Sequence, residues 1–278
     1  MRATSLARLR DGAWDPGAAA LYVVCGLIFL FLILPIFVII PISFSSAKFL
    51  TFPPPGWSLQ WYAKYFTGPK WLSATWLSVR VAGLTTVLAT GLGTLAALGL
   101  VRGRFRGKGL IYGLVLSPMI IPIIITAIGI YFLFARIHLT GTLAGLVLAH
   151  TVLAIPVVVV IVSATLQGVD RNLEFAAMNL GANRLQTFRR VTLAIIRPGV
   201  ISGAIFAFIT SFDEVIVAMF LSSPTTLTLP KQMWDGIQQE IDPTIAAVST
   251  LLICVSVVLL SLVEWLRRQA ERLTGRRA

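Results

Sequence analysis

Asp213 and Glu214, two adjacent carboxylates in an otherwise apolar run, are the residues whose types and position most directly suggest chemistry. A charged side chain inside a long apolar segment is costly and is usually retained for a partner or for a transport pathway. Neighbouring side chains on a helix point about 100° apart, so at most one of the two is expected to face a central path. The pair predicts a substrate pathway or gate, or else a structural ion pair with Arg80 as the candidate partner.

Other kinds of chemistry lack the residues that they need. Gly103–Gly109 contains glycines and a lysine, but its spacing differs from that of a GxxxxGK[ST] phosphate loop and it lacks the final Ser or Thr. Cys25 and Cys254 lie in apolar runs, and His138 and His150 are isolated, so neither a disulfide nor a metal motif is expected. The sequence predicts a chain that is not an enzyme, with no catalytic or metal-binding residues and no cofactor of its own.

A second candidate site is the polar stretch Leu166–Arg197, whose apolar residues recur with a helical period. Four of them fall at i, i+3, i+4 and i+7 and so share one helix face: Leu173, Ala176, Ala177 and Leu180. Asp170 or Asn172 can cap the start of this helix, and a glutamate in its first turn suits the helix dipole. Gly181 can adopt the left-handed conformation that ends a helix.

A short second helix is predicted to follow from Asn183, with Leu185 and Phe188 facing inward. On the first helix, the paired alanines allow another backbone to approach closely, while Phe175 and Met178 provide protruding apolar side chains. The stretch is therefore predicted to be a helix–glycine–helix element that docks on a partner. An amphipathic loop resting on a membrane surface is the alternative.

Composition identifies the environment of these two sites. The chain of 278 residues is 57% hydrophobic and only 12% charged, whereas a soluble domain has about 25% charged residues. Its net charge of +12 comes from basic residues in short bursts between apolar runs, which favours a membrane protein over a nucleic-acid-binding one. Six runs are long enough to cross a bilayer as helices: Ala20–Ser43, Ala74–Val101, Leu110–Ala135, Leu143–Thr165, Pro198–Leu221 and Ile245–Leu266.

The basic residues between these runs predict the orientation of the chain. Seventeen Lys and Arg fall in the two tails and in the loops on their side, against five on the other side. Because cytoplasmic loops carry the excess of positive charge, both termini are expected in the cytoplasm. The predicted organisation is an N-terminal tail (1–19), a transmembrane domain (20–266) containing the loop 166–197, and a C-terminal tail (267–278).

The loop between the fourth and fifth runs resembles a family motif. Ala176-Ala177-x3-Gly181, followed after nine residues by Val191-x-Leu193, is similar to the E-A-A-x3-G-x9-I-x-L-P loop of bacterial ABC importer permeases. Phe175 stands at the Glu position of that motif and Ala194 at its final Pro position. The location between spans four and five also matches.

The loop stretch Leu173–Ala194, the run Ser211–Val215 and the segment Thr228–Ala247 resemble the spermidine/putrescine branch of these permeases. The resemblance implies an all-α integral membrane protein with the six-span type I ABC importer permease fold, in the bacterial cytoplasmic (inner) membrane. It also implies transport of a polyamine, putrescine or spermidine. Import of another small solute (an amino acid derivative, an opine or a metal ion) is the alternative, and a secondary transporter or a membrane-bound enzyme is a more distant one.

The same resemblance implies the partners. Such a permease works with a second homologous permease, two ATP-binding subunits that bind ATP and Mg, and an extracytoplasmic substrate-binding protein, within the lipid bilayer and without nucleic acid. The residues implied in ATPase coupling are Glu174, Phe175, Ala176, Ala177, Met178 and Gly181. The outer loop Ser222–Thr244 is a candidate contact for the binding protein.

Overall fold

The computed structural model describes Pro16–Gln239 and Asp242–Leu273, and the regular structure in these ranges is helical, as predicted. Residues 1–15 and 274–278, which belong to the two predicted tails, lie outside the described residues, as does Glu240 of the predicted outer loop. The α-helices are α1 Pro16–Ser43, α2 Gln60–Thr67, α3 Pro69–Arg102, α4 Lys108–Ile120, α5 Ile123–Arg136, α6 Leu143–Gln167, α7 Arg171–Asn179, α8 Arg184–Thr187, α9 Leu193–Phe212, α10 Ile216–Leu221, α11 Leu229–Gln239 and α12 Thr244–Leu273. A π-helical turn, Phe188–Thr192, joins α8 to α9.

The chain forms two compact units, the smaller of which contains residues up to Lys64 together with the segment that ends at Ile253. In this unit the connection after α1 folds against α2. The indole Nε1 of Trp61 donates to the carbonyl of Ser45 at 2.8 Å, and the hydroxyls of Ser43 and Tyr62 lie 2.7 Å apart. Lys64 at the end of α2 forms an ion pair with Asp242, just before α12.

The larger unit is built around α3, α6 and α9, which pack closely through small side chains. Its buried core includes Ala89, Ala97, Ala154, Val158, Val162, Leu166, Val169, Ile196 and Ala207. A Cβ atom added at Gly93 would lie 2.8 Å from the Cβ of Val158, and one added at Gly199 would lie 2.2 Å from the Oγ1 of Thr165. Such close helix contacts through glycine and alanine are typical of membrane-embedded bundles.

Four helical segments are long and apolar enough to cross a bilayer: Gly17–Ser43, Pro69–Arg102, Leu143–Gln167 and the continuous helix Arg184–Phe212. They correspond to the first, second, fourth and fifth predicted runs. The sixth run falls in α12, whose described apolar segment is Thr244–Val258. The total of six spans and the cytoplasmic position of the termini stay predictions.

The third predicted span, Leu110–Ala135, is not one continuous helix. It is divided into α4 and α5, which are bent by 104° at a break. Pro122 lacks a backbone N–H and disfavours helical geometry in the residue before it, and Ile121 is accordingly extended, with φ −71° and ψ 134°. The sequence predicts one span kinked at its prolines, and the structure shows a sharper break at this point.

The bounds predicted for the fifth span, Pro198–Leu221, were wrong at both ends. Pro198 lies inside α9 rather than at its start, because the helix continues back through the π turn to α8. At its other end α9 stops at Phe212, and α10 begins only at Ile216. Asp213 and Glu214 therefore lie at a helix break instead of within a continuous helix.

Candidate functional site

The break between α9 and α10 gives the buried carboxylate of Glu214 its hydrogen-bond partners. Its two oxygens accept from the backbone N–H groups of Val217 at 2.7 Å and Ala218 at 2.9 Å. These are donors of the first turn of α10, which have no partner within the helix, and the positive end of the helix dipole favours a carboxylate there. The break is thus what allows Glu214, with a side chain only 4% exposed, to lie in the protein interior.

His150 of α6 completes this buried cluster. Its Nε2 lies 3.6 Å from the Oε2 of Glu214, and its Nδ1 lies 3.1 Å from the carbonyl oxygen and 2.9 Å from the hydroxyl of Ser211. Arg80, the partner expected from the sequence, is instead an exposed residue of α3, so that expectation was wrong. An isolated histidine gave no local signal, because His150 meets Glu214 only through the packing of α6 against α9.

Asp213 differs from its neighbour in exposure. Its backbone N–H donates to the carbonyl of Ile209 at 3.0 Å and so ends α9, while its side chain is exposed. Within the described residues its carboxylate forms no ion pair. The structure therefore gives the adjacent carboxylates different surroundings, with Glu214 buried against backbone donors and Asp213 open. Their assignment to a pathway or gate stays a prediction.

The helix–glycine–helix element predicted within 166–197 is present in the structure. The carboxylate of Asp170 caps α7 by accepting from the N–H of Asn172 at 2.9 Å. Gly181 has φ +90°, the left-handed conformation predicted for it. Asn183 and Gln186 then form a reciprocal capping box at the start of α8. The loop bounds differ slightly, because Leu166 and Gln167 belong to α6 and Leu193–Arg197 belong to α9.

This element carries several exposed large apolar side chains, which we call together the coupling surface. It consists of Leu173, Phe175, Met178, Leu180 and Leu185. Leu180 is 89% exposed and Phe175 is 53% exposed. Clusters of exposed apolar side chains often mark interaction sites. Leu185 was expected to face inward and is 64% exposed, because α8 is a single turn and only Thr187 of that turn is buried.

Glu174 is the one proposed coupling residue whose side chain is tied into the chain. Its Oε1 lies 3.1 Å from a guanidinium nitrogen of Arg102 at the end of α3 and accepts from the hydroxyl of Thr192 at 3.1 Å. The side chain of Arg102 also donates to the carbonyl of Val169, while Arg171 donates to the carbonyl of Arg102, each at 3.2 Å. The base of the element is therefore fastened to α3.

With this geometry in place, comparison with known proteins identifies the family. Residues 89–275 match the family described as the binding-protein-dependent transport system inner membrane component. The chain belongs to this family. The matched segment includes both the coupling surface and the helix break, and the resemblance drawn from the loop motif is confirmed.

Relatives of this family member have polyamines in their names. The putrescine transport system permease protein PotI of Escherichia coli K12 is 35% identical, covering 88% of this chain and 89% of the relative. The spermidine/putrescine transport system permease protein PotC of Haemophilus influenzae is 30% identical, covering 87% of this chain and 94% of the relative.

Solved structures confirm the ABC importer permease fold. A chain of a bacterial ABC transporter involved in the import of the acidic polysaccharide alginate superposes with a TM-score of 0.73 at 15% identity. The likeness covers 91% of this family member and 99% of that chain. An amino acid ABC transporter solved with histidines gives a TM-score of 0.56 at 18% identity, covering 75% and 98%.

Proposed function

We propose that this permease imports a polyamine, with putrescine or spermidine as the solute, and forms one half of the translocation pathway of an ABC importer. The observation that supports the solute class most strongly is the 35% identity with a putrescine permease along almost the whole of both chains. The exposed carboxylate of Asp213 at the helix break suits an organic cation, because an opposite charge compensates the cost of each charge inside a membrane.

In this proposal Asp213 contacts the passing ammonium group, while Glu214 holds the break open. The two backbone hydrogen bonds of Glu214 fix the start of α10. His150 lies 3.6 Å from the same carboxylate and is itself held by Ser211 at the end of α9. One carboxylate is thus committed to the fold, and the other is available to the solute.

The coupling surface is the proposed docking site for an ATP-binding subunit. Its apolar side chains are exposed in this chain, whereas Glu174 and Arg102 fasten the element to α3. A docked subunit would therefore cover the outer side chains, and its movement would be passed to α3 and α9 through the inner contacts. Glu174 acts in this scheme as a link within the permease, and the other coupling residues provide the contact.

The proposed assembly contains a second homologous permease, two ATP-binding subunits that bind ATP and Mg, and an extracytoplasmic substrate-binding protein. It lies in the bacterial inner membrane with both termini of this chain in the cytoplasm. Cysteines introduced at positions 60 and 105, both exposed, test this orientation after Cys25 and Cys254 are replaced. An impermeant reagent added from outside should label position 60 and spare position 105, and the reverse pattern would exclude the orientation.

Uptake by the reconstituted complex tests the solute class. Proteoliposomes containing this chain with its partner subunits should accumulate putrescine or spermidine when ATP and the binding protein are supplied. A neutral amide and an anion such as molybdate serve as competitors of other chemistry. Accumulation of an anion in place of the polyamine, with ATP hydrolysis stimulated to match, would reject the polyamine proposal while leaving the chain an importer subunit.

Gly181 offers a test of coupling that avoids the contact surface itself. A Cβ added there meets nothing within 4 Å, so Gly181→Ala perturbs only the left-handed backbone at φ +90°, at a cost of about 1 kcal/mol. We expect several-fold less solute transported per ATP hydrolysed, with normal membrane insertion. Gly168→Ala is the matched control, because Gly168 has an ordinary φ of −78°. Equal transport efficiency in the two variants would favour a loop that merely rests on the membrane.

A further inference from the structure

A cavity of about 280 Å³ lies within the larger unit, between the ends of α3 and α6 and the start of α4. It is lined by Leu100, Val101, Lys108, Tyr112, Ser163 and Gln167. Lys108 and Tyr112 are four residues apart on α4, and Ser163 and Gln167 are four residues apart on α6, so each pair shares one helix face. Two polar helix faces therefore meet across a space equal to the liquid volume of roughly nine water molecules.

Ser163 contributes a buried hydroxyl to the lining of this cavity. The residue is only 4% exposed, and its hydroxyl has no hydrogen-bond partner among the described residues. A buried hydroxyl without a partner is costly, and such groups in native proteins usually bond to water or a ligand. Because Ser163 lines the cavity, its hydroxyl is a candidate donor to a molecule held there.

The charge around the cavity selects an anion. Lys108 is its charged lining residue, and its ammonium lies at 3.5 Å from the carbonyl of Gly103, the limit of a hydrogen bond. Lys108 is also the first residue of α4, whose N-cap Gly107 provides no side-chain cap, so backbone N–H groups and the positive end of the helix dipole lie beside it. The ammonium attracts an anion and repels a cation such as a polyamine.

The surroundings of the cavity indicate an anion with an apolar body. Leu100 and Val101 form its apolar wall, and α4 has no buried residue within the described chain. Leu110 and Leu114, both more than two thirds exposed, continue the apolar surface of α4 away from Lys108. Basic pockets between transmembrane helices are a known way to hold phospholipid headgroups.

We propose that this cavity binds the phosphate of an anionic phospholipid, with the acyl chains lying outside along α4. Lys108 and the N-terminus of α4 neutralise the phosphate, and the hydroxyls of Ser163 and Tyr112 donate to its oxygens. The headgroup then joins α4 to α6 beside the end of α3. Arg102, which fastens the helix–glycine–helix element to α3, lies at the same end. This holds whichever solute the importer carries.

Lipid retention by the purified complex tests the proposal. The complete importer is exchanged through detergent containing phosphatidylglycerol, and the lipid retained per complex is measured by extraction and mass spectrometry. Lys108→Gln should retain about tenfold less phosphatidylglycerol, as expected for loss of a charged hydrogen bond. Ser163→Ala should retain several-fold less, and it carries the test if the lysine variant fails to assemble.

Arg106→Gln is the matched control. Arg106 is an exposed basic residue just before α4, two residues from Lys108, and it does not line the cavity. Its retention should stay within about twofold of the unmodified complex, and an equal loss in both variants would show nonspecific surface attraction and overturn the proposal. Unchanged retention in both cavity variants would also overturn it. Saturable binding of inorganic phosphate to delipidated complex, with no retained lipid, would assign the cavity to free phosphate instead.

Discussion

Neutralising Asp213 and Glu214 one at a time should give two different defects, because only Glu214 is buried. In Glu214→Gln one oxygen is kept and the other becomes an NH₂ group, which cannot accept from a backbone N–H. One of the hydrogen bonds to Val217 and Ala218, now 2.7 and 2.9 Å, is lost and a buried donor is left without a partner. We expect a stability loss of about 2–4 kcal/mol from the orphaned group and the lost charge assistance.

Asp213→Asn removes an exposed charge that makes no ion pair within the described residues, so its stability should change by less than about 0.5 kcal/mol. A carboxylate that binds an ammonium group contributes about 1.5–3 kcal/mol. Uptake of a cationic solute below saturation should therefore fall at least about tenfold per assembled complex.

Two measurements on each variant separate these effects: the yield of assembled complex per membrane, and the uptake rate per assembled complex. Glu214→Gln should lower the first and Asp213→Asn the second. Unmodified uptake per complex in Asp213→Asn would refute its place on the pathway. Normal assembly of Glu214→Gln would show that the start of α10 does not depend on that carboxylate, and loss of neutral and cationic uptake alike would identify a gate without charge selectivity.

Two further predictions concern packing and pH. Gly199→Ala should lower the thermal unfolding midpoint, because its Cβ would lie 2.2 Å from the Oγ1 of Thr165 and overpacking costs about 1–3 kcal/mol. Gly203→Ala on the same helix is the control and should be tolerated, because the nearest atom to its Cβ is 3.4 Å away. Equal midpoints in the two variants would contradict this packing. Burial raises the pKa of the Asp242 carboxyl, but the hydrogen bond from Lys64, two hydrogen bonds from Thr244 and the Lys64 charge together outweigh it and lower that pKa. The stability that this ion pair adds should therefore persist from neutral to mildly acidic pH and be lost only as the pH falls below the ordinary aspartate pKa; a gap between wild type and Asp242→Asn that closes well above that pKa would contradict the assignment.

Local signals explain why the helix–glycine–helix element was predictable from the sequence. Asp170, Asn183 and Gly181 each act through backbone groups within a few residues of themselves, as capping and left-handed glycine geometry require. The apolar period of α7 likewise depends only on helix geometry. These features need no knowledge of the rest of the fold.

The helix break depends on contacts between residues that are far apart in the sequence, so no local pattern predicts it. Glu214 is satisfied by the start of α10 and by His150, which is 64 residues away along the chain. An apolar run containing two acids is compatible with a continuous helix as well as with a broken one, and the intact helix was the wrong choice. Pro122 lies at the break in the third span, but a proline in a sequence is as compatible with a mild kink as with a bend of 104°.

One continuous helix joins the two candidate sites, which gives the coupling proposal a mechanical basis. Arg184–Phe212 begins at the coupling surface, of which Leu185 is part, and ends immediately before Asp213. Its 29 residues span about 43 Å at 1.5 Å each. A tilt of about 5° about one end of such a rod would displace the other end by about 4 Å. Near the start of this helix, in the π turn, the hydroxyl of Thr192 donates a hydrogen bond to Glu174. Glu174 is in turn paired with Arg102 of α3, so the start of the helix is connected to α3. In the proposed assembly, movement of a docked subunit would displace α3 and α9 together. Helix α6 packs against both through Val158 and Thr165, and it places His150 beside Glu214 at the break.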